Sequence, residues 1–519
     1  MRIAWPARPR GLAAAILAAL FLLACRPAGP APAPEGNRAG APAPTAGRTQ
    51  VVIAGTTTIE SRNPYTVGLY NLWCQVVGCL VAYDFGRGDY VGALADHWEV
   101  ESPTSWRFHL DPRARWSDGT PLAAADVVHS VDRAHTDPAG RSQLFVSPIE
   151  RVEALDEQTV RISTKQPTAS LLDYLKSLPI TSKAQFDRLG DNLGSEKPVG
   201  AGPYRFEELV PDRHLVLSKD PDWWGVAVQG PDEVILRVIR EPEARVTALL
   251  NNEVQVALDV PPHMIDRVQS SANARIETVP GAEMVILAMN AHTPPWDRKA
   301  LRQAVGYAID RDAIIQGVLR GQARRLDGPV GPSQYGYDPD LQPRYPYDPA
   351  RAKQLVAQAG FPDGVDVELA SPVGRYPQDK QVVEAIAPML TAVGIRTRVL
   401  TPEWPTLFAD INAGRAGFYY MSRMGVVDPG VPLSQYFETG ISRRTGYSNP
   451  QVDALFARER ATFDPAERKH VLSQLMSIIT EEAPVQFLFQ QMNVVGVARN
   501  VDFEVRPDAA IIPGTIRVR

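Results

Sequence analysis

Short runs of alternating or β-branched apolar residues predict strands in five parts of the chain. These runs are residues 51–54, 159–163, 214–217, 233–239 and 365–369. Apolar residues with the 3.6-residue period of a helix occur between them, for example over residues 301–309 and 471–479. Strands and helices alternate in this way without an internal repeat of about 20–50 residues, so the pattern predicts an α/β architecture.

Three dipeptides predict where helices begin. They are Asp348-Pro349, Asn449-Pro450 and Asp464-Pro465. In each one the Asp or Asn side chain can cap the helix, and proline is favoured at the first helical position.

The first 25 residues are predicted to be an export signal rather than part of the fold. Arg2, Arg8 and Arg10 precede an uncharged apolar run over residues 11–24, which ends at Cys25. This arrangement resembles the bacterial lipobox and predicts a lipoprotein signal peptide over 1–25, with lipidation at Cys25. An ordinary secretory signal with a chance cysteine is the alternative. Residues 26–47 are rich in Pro, Ala and Gly, which predicts a disordered tether.

Composition narrows the class of protein. A chain of 519 residues is too long for one ordinary hydrophobic core. Its 44% hydrophobic and 22% charged residues are typical of a soluble globular protein and exclude a polytopic membrane protein. The formal net charge of −5 gives no basic footprint, so no nucleic-acid partner is expected.

The other two cysteines, Cys74 and Cys79, lie in a segment that we interpret as helical. Residues five apart on a helix lie on different faces, beyond disulfide reach. Two buried thiols are therefore expected, although the oxidising compartment would permit a disulfide.

Local signatures of catalysis and metal binding are absent. The chain has no G-x-G-x-x-G, Walker A, H-E-x-x-H or G-x-S-x-G motif. No two of its 8 histidines are spaced four apart, and none pairs with a cysteine at metal-ligand spacing. We therefore expect no catalytic residues, no metal and no cofactor, and a protein that is not an enzyme.

Several collinear segments between residues 50 and 495 resemble the extracytoplasmic solute-binding proteins of the peptide/nickel class (family 5), which serve ATP-binding-cassette importers. The segments include LADHWE at 94–99, WSDGTPL at 116–122, PVGAGPYRF at 198–206, YAIDR at 307–311 and AGFPDG at 359–364.

The resemblance implies a two-lobed periplasmic-binding-protein-like α/β fold (type II, cluster C), with an extra insertion domain in lobe I. Lobe I would comprise residues 48–80, 201–283 and 493–519, the insertion domain 81–200, and lobe II 284–492. Strands that cross between the lobes would form a hinge, and ligand would favour the closed state.

The resemblance also implies a function. The protein would be a monomeric receptor, anchored by lipid to the membrane on the periplasmic or extracellular face of the cell envelope. It would capture a small peptide-like solute and deliver it to ABC permease and ATPase subunits. A secreted hydrolase on the same scaffold, a surface that docks another protein, and a receptor for a non-peptide solute are the alternatives.

Candidate ligand-binding residues follow from the same resemblance. Lobe I would contribute Tyr65, Tyr70 and Trp73, and lobe II would contribute Trp404, Tyr420, Arg423, Gly425 and Asp428. Peptide-binding relatives carry an Asp, which pairs with the ligand's amino terminus, three residues before an acidic-Pro step. Gly425 occupies that position here, three residues before Asp428, so this anchor is missing. Arg423, or Arg443 and Arg444, could instead favour an anionic group of the ligand. Core packing and solvent exposure are the alternatives for these side chains.

Overall fold

The computed structural model describes residues 47–56, 61–65, 69–136, 142–423, 427–441 and 443–519. The predicted signal peptide, Cys25 and nearly all of the predicted tether lie outside these residues. Gly425 and the side chain of Arg423 also lie outside the description.

The strands confirm all five of the predicted apolar runs, as β1, β7, β9, β10 and β14. Strands β1 to β19 span, in chain order, Gln50–Gly55, Val81–Asp84, Asp89–Gly92, Ala95–Ser102, Ser105–Leu110, Ile149–Ala154, Thr159–Thr164, Tyr204–Val210, His214–Lys219, Glu233–Val238, Val256–Ala257, Ala274–Met289, Ala323–Arg325, Val365–Ala370, Ile395–Leu400, Phe418–Arg423, Val485–Ala498, Val501–Asp502 and Arg517–Val518.

Helices α1 to α15 span Tyr70–Cys74, Ala124–Thr136, Gln143–Val146, Leu171–Leu175, Lys183–Leu189, Pro242–Leu250, Ile265–Gln269, Lys299–Ala308, Arg311–Gly317, Pro349–Gln358, Asp379–Ala392, Trp404–Asn412, Gly430–Phe437, Pro450–Ala461 and Pro465–Glu482. Short 3-10 helices span Gly190–Ser195, Pro262–Met264 and Pro513–Thr515. The predicted helix starts are confirmed, because Asp348, Asn449 and Asp464 cap α10, α14 and α15. Within the described part of the chain, no helix is both long and apolar enough to span a bilayer.

One long sheet runs through the molecule in the order β15-β14-β16-β12-β17-β11-β1-β10-β9-β8, with β13 also paired to β17. Its centre is the antiparallel pair of β12 and β17, which are 16 and 14 residues long. The other strands attach to opposite ends of this pair: β11 and β1 on one side, β16 and β14 on the other. The register of the pair shifts between Pro280 and Met284. The two halves of the sheet are therefore joined by two continuous strands with an irregularity near their middle.

Three hydrophobic cores organise the described residues. The first core draws on segments 51–77, 204–256 and 495–516. The second draws on Tyr65 and on residues 80–201, and surrounds the antiparallel sheet β4-β5-β7-β6. The third lies within residues 284–489. The first and third cores fall in the predicted lobe I and lobe II. The second falls mainly in the predicted insertion domain 81–200, but it also includes Tyr65, Leu80 and Ala201 of the predicted lobe I. The boundaries between the domains stay predictions.

The expectation of two free thiols is wrong, because Cys74 and Cys79 form a disulfide. Helix α1 ends at Cys74, and Gly78 takes a left-handed φ of 98°. The chain therefore turns back on itself between the cysteines instead of continuing as a helix, which brings their Cα atoms to 5.1 Å. That separation is within the normal disulfide range.

The loop closed by this disulfide meets the chain that returns from the second core. Gly202 and Tyr204 donate backbone hydrogen bonds to the carbonyl oxygens of Val76 and Gln75. A Cβ atom at Gly200 or Gly202 would overlap one of those two carbonyl oxygens. Glycine is therefore required here by the close approach of two backbones.

Candidate functional site

A cavity of about 880 Å³, which we call the central cavity, lies where the three cores meet. Its size falls within the range of about 300–1,000 Å³ that is typical of small-molecule sites. The first core contributes Ile53, Gly55, Leu236, Arg237, Leu258, Asp259 and residues 508–511; the second contributes Leu144, Phe145, Asp173 and Lys176; the third contributes Arg375, Tyr376, Trp404, Phe408, Gln435, Tyr436 and Arg444.

The first wall of the cavity is built from three parallel strands. Strand β1 pairs in parallel with both β10 and β11. Gly55, Arg237 and Asp259 lie at or just after the carboxyl ends of these strands. Ligands of open α/β sheets bind at this edge, because the loops that follow the strands are free to vary.

The opposite wall repeats this arrangement in the third core. Strand β14 pairs in parallel with β15 and with β16. The segments that follow β14 and β15 carry Tyr376 and Trp404, whose rings meet edge-on with centroids 5.8 Å apart. Phe408 stacks on Trp404 at 5.1 Å. We call Tyr376, Trp404 and Phe408 the aromatic shelf.

Two arginines lie against the aromatic shelf. The Arg375 guanidinium lies 5.4 Å from the ring centroids of both Tyr376 and Trp404. Arg444 lies 5.8 Å from the ring of Phe408, and its Nε donates to the Asn412 side chain at 3.0 Å. Neither guanidinium forms an ion pair with a carboxylate of the described residues. Both cations therefore remain available to an anionic group in the cavity.

Carboxylates of the cavity fall into two kinds. Asp173 and Asp508 are neutralised by Lys176 and Arg506. Asp259 and Glu283 have neither an ion-pair partner nor a side-chain hydrogen bond among the described residues.

The surroundings of Asp259 favour a cationic partner. Although its side chain is accessible from the cavity, partial desolvation raises the pKa of its carboxyl, and Arg245 opposes that shift. A bound cation would stabilise the charged form of this carboxyl.

Glu283 occupies a special place in the fold. It lies in β12 at the register shift between Pro280 and Met284, where the chain crosses between the two halves of the sheet. Its negative charge acts on the hydroxyl of Tyr376 in the aromatic shelf. The cavity thus combines unpaired cations and unpaired carboxylates around an aromatic surface.

Of the candidate residues before β2, one lies on the cavity wall. Tyr70 lines the cavity and packs edge-on against Phe145 at 4.5 Å. Tyr65 is fully buried in the second core, and its hydroxyl shares a 2.8 Å hydrogen bond with Thr181. Trp73 is buried in the first core, stacked on Phe206 at 5.9 Å. Tyr65 and Trp73 therefore have core positions, because their apolar rings complete the packing beneath the cavity.

Among the candidates from the third core, Trp404 lines the cavity as part of the aromatic shelf. Tyr420 is fully buried behind the shelf, with its ring centroid 6.3 Å from that of Tyr376. Its hydroxyl has no hydrogen-bond partner among the described residues, and burial raises its pKa well above the ordinary value. Arg423 ends β16 opposite Met284, while Gly425 lies outside the described residues.

Asp428 is not exposed to the cavity, because a buried arginine binds it. Arg468 donates to Asp428 through both terminal nitrogens, at 2.5 and 2.8 Å. The Nε of Arg468 donates to Glu459 at 2.8 Å. We call Arg468, Asp428 and Glu459 the Arg468 cluster. Burial raises the pKa of the Glu459 carboxyl, and the positive charge of Arg468 opposes that rise. The position of Asp428 is thus explained by this ion pair.

Sequence reasoning did not identify Arg237, Asp259, Glu283 or Arg375 as cavity residues. Arg237 lies at the end of a correctly predicted strand, and Arg375 follows another one. Charged residues just after parallel strands are therefore the signal that could have found them. Glu283 has no such signal, because its place depends on how β12 pairs with β17.

Comparisons with known proteins agree with this geometry. The family model described as bacterial extracellular solute-binding proteins, family 5 Middle, matches residues 89–442. The glutathione-binding protein GsiB of Pectobacterium atrosepticum is 27% identical over 88% of this chain and 92% of its own length. A dipeptide-binding protein of Escherichia coli (strain K12) is 28% identical over 84% and 85% respectively.

Solved structures show the same fold. DppA from Helicobacter pylori, in complex with peptide STSA, has a TM-score of 0.74 at 23% identity, covering 91% of this chain and 98% of that one. HbpA2 from Haemophilus parasuis has a TM-score of 0.81 at 22% identity, covering 91% and 100%. These likenesses confirm the predicted two-lobed periplasmic-binding-protein-like fold. The family model covers well over half of this chain, and the chain therefore belongs to the family 5 bacterial extracellular solute-binding proteins.

Proposed function

We propose that this protein is a lipid-anchored receptor that captures a zwitterionic, peptide-like solute in its central cavity. It then delivers this solute to an ABC importer. The observation that carries the proposal is the set of unpaired charges in a cavity between two lobes. The relatives named above are binding proteins rather than enzymes, which favours a receptor over a hydrolase.

The chemistry of the cavity supports a zwitterionic solute. Arg375 and Arg444 offer positive charge beside the aromatic shelf, and Glu283 and Asp259 offer negative charge. A short peptide with free termini presents one group for each sign of charge. Two relatives are named for binding glutathione and a dipeptide, and DppA was solved with the peptide STSA.

We propose that Glu283 takes the role of the amino-terminal anchor that Gly425 does not supply. A buried or half-buried carboxylate without a partner is costly, so a ligand ammonium would relieve that cost on binding. Glu283 is half-buried and lies in the crossing strand, where it can contact a ligand held between both lobes.

The same crossing strands provide the proposed hinge. Strands β12 and β17 join the two halves of the sheet, and their register shifts between Pro280 and Met284. Rotation of the lobes about this point would close the cavity, with the ligand stabilising the closed form through contacts on both walls. The domain boundaries predicted from the sequence, with lobe II as residues 284–492, place the hinge at this junction.

The ligand proposal predicts a dependence on both peptide termini. We expect titration calorimetry to show binding of short peptides with free termini, and a loss of affinity of about 10-fold or more when the amino terminus is acetylated, since a charge-assisted hydrogen bond is removed. In Glu283→Gln the free peptide should bind about as weakly as the acetylated one binds the unsubstituted protein. Amidation of the peptide's carboxyl terminus should weaken binding to the unsubstituted protein. In Arg375→Gln the amidated and free peptides should bind with equal affinity.

Glu384→Gln is the matched control, because Glu384 is exposed on α11 and does not line the cavity. It should leave the affinity for every peptide unchanged. Equal binding of free and acetylated peptides would contradict the role of Glu283. If the protein bound carboxylate solutes that lack an amine and bound no peptide, the peptide-like ligand class would be contradicted. The role as a solute receptor would still stand.

The lipid anchor is a separate proposal, supported by the sequence around Cys25. Cys25→Ala removes the thiol that would be lipidated, so we expect the protein to move from the membrane pellet to the soluble envelope fraction after cell fractionation. Thr45→Ala, in the proposed tether, should leave it in the pellet. Retention of the Cys25→Ala variant in the pellet would contradict lipid anchoring at this residue.

A further inference from the structure

A second group of polar side chains lies outside the central cavity, on the antiparallel sheet of the second core. Strand β4 is an edge strand and pairs only with β5 in this sheet. His97 lies directly opposite His109, and their imidazole rings are stacked with centroids 4.3 Å apart and planes inclined by 11°. Glu99, two residues after His97, lies on the same face.

This face of the sheet points to solvent. The alternate residues Trp106 and Phe108 of β5 are buried in the second core, which turns His109 outward. The side chains of His97 and Glu99 are 56% and 57% exposed. An ion can therefore reach these groups without any rearrangement of the backbone.

The three groups can converge on one ion. The nearest ligand atoms of His97, Glu99 and His109 all lie within 4.8 Å of one another. A tetrahedral Zn²⁺ ion with bonds of about 2.0–2.2 Å needs them closer together, which small rotations of exposed side chains can provide. Two imidazole nitrogens and one carboxylate oxygen form a ligand set that suits zinc and its neighbours in the first transition row.

Neighbouring residues support this use of His97. The Oδ2 atom of Asp96 lies 3.1 Å from Nδ1 of His97 and can accept a hydrogen bond from the Nδ1–H group. This contact would leave Nε2 of His97 as the metal ligand, in the carboxylate–histidine arrangement that is common around bound metals. The Arg107 guanidinium lies 4.0 Å from Glu99 but also pairs with Glu101. Arg107 therefore keeps an ion-pair partner when Glu99 binds a metal ion.

We propose that His97, Glu99 and His109 form a surface site for a divalent transition-metal ion of the Zn²⁺ type. The ion links edge strand β4 to β5 and leaves at least one coordination position open to solvent or to another molecule. The spacing of histidines along the chain gives no sign of this site, because a β-hairpin and its register bring its members together.

Zinc titration of the full-length, untagged protein tests the site. After removal of metals with a chelator, Zn²⁺ is titrated against a zinc-binding indicator dye. We expect one saturable equivalent, and a loss of affinity of about 10-fold or more in each of His97→Ala and His109→Ala, with a smaller loss in Glu99→Gln. X-ray absorption of the zinc-loaded protein should show two imidazole ligands at about 2.0–2.1 Å.

His263→Ala is the matched control, since His263 is an exposed histidine that contacts one carboxylate, Glu243, at 3.1 Å. It should leave zinc affinity unchanged. Circular dichroism should show the same fold in all four variants, because every substituted side chain is wholly or partly exposed. Zinc binding that does not saturate, or that is unchanged in both His97→Ala and His109→Ala, would overturn the proposal.

Discussion

Replacement of Arg468 by methionine is expected to lower the free energy of unfolding by about 3–5 kcal/mol. The side chains of Arg468, Asp428 and Glu459 are only 7%, 3% and 1% exposed. Without the guanidinium, two carboxylates would remain buried side by side with no counter-charge between them. Urea unfolding followed by tryptophan fluorescence would measure the change.

Arg458→Met provides the matched control for this prediction. Arg458 pairs with Glu467 at 3.0 Å, but both side chains are about half exposed, at 50% and 54%. An exposed pair of this kind contributes less than about 1 kcal/mol. If both variants lost the same amount of stability, the Arg468 cluster would not have the role that its burial implies.

The loss in Arg468→Met should also depend on pH. Burial already raises the pKa of Glu459 in the folded protein, and loss of Arg468 removes the charge that opposes this rise. A carboxyl whose folded pKa is raised favours the folded state below its unfolded pKa of about 4.3, and this contribution is lost as pH rises through the folded value. The deficit relative to the unsubstituted protein should therefore be smaller at pH 4 than at pH 7.

Replacement of Arg245 by methionine should reduce both stability and ligand affinity. Arg245 is 2% exposed and donates to four backbone carbonyl oxygens, those of Ile239, Arg240, Leu258 and Asp259. Their loss would leave acceptors unsatisfied behind the wall of the central cavity, which should cost about 3 kcal/mol of unfolding free energy. Because Leu258 and Asp259 line that cavity, their loop should also lose its fixed position for ligand.

Urea unfolding and peptide titration on the same protein samples would test both parts. Arg240→Met is the control, because the Arg240 side chain is 63% exposed and, among the described residues, pairs with Asp212 alone, which is also exposed. Arg245→Lys should be intermediate, since one ammonium cannot reach four separated carbonyls. A variant of Arg245 that lost stability but kept full affinity would contradict the proposed support of the ligand loop.

Features that depend on a few neighbouring residues were predicted well from the sequence. The caps of α10, α14 and α15 are set by an Asp or Asn followed at once by proline, which is a purely local signal. The strands recognised by alternating or β-branched apolar runs were likewise found because their apolar residues must be buried, on both faces in the case of β1. The family resemblance then implied a two-lobed arrangement, which the solved structures confirm, and an insertion domain, which stays a prediction.

Features that depend on distant partners were not predictable in this way. Asp428 was expected in the cavity, but its partner Arg468 lies 40 residues later in the chain, and no local pattern reveals that pairing. The cysteines were misjudged because the segment looks helical until Gly78 reverses it. Tyr65 and Trp73 come from the expected part of the chain, yet the direction in which each ring points is decided by the core that it completes.

The disulfide loop between Cys74 and Cys79 has a consequence for how such a fold can be assembled. The chain leaves for the second core just after this loop and returns to the same loop at Ala201, Gly202 and Tyr204, through backbone hydrogen bonds. The points where the chain leaves and returns are thus adjacent, and the long sheet continues past them without interruption. Because the chain leaves and returns at one covalently closed loop, a change in the length of the segment between these points need not disturb the pairing of the long sheet.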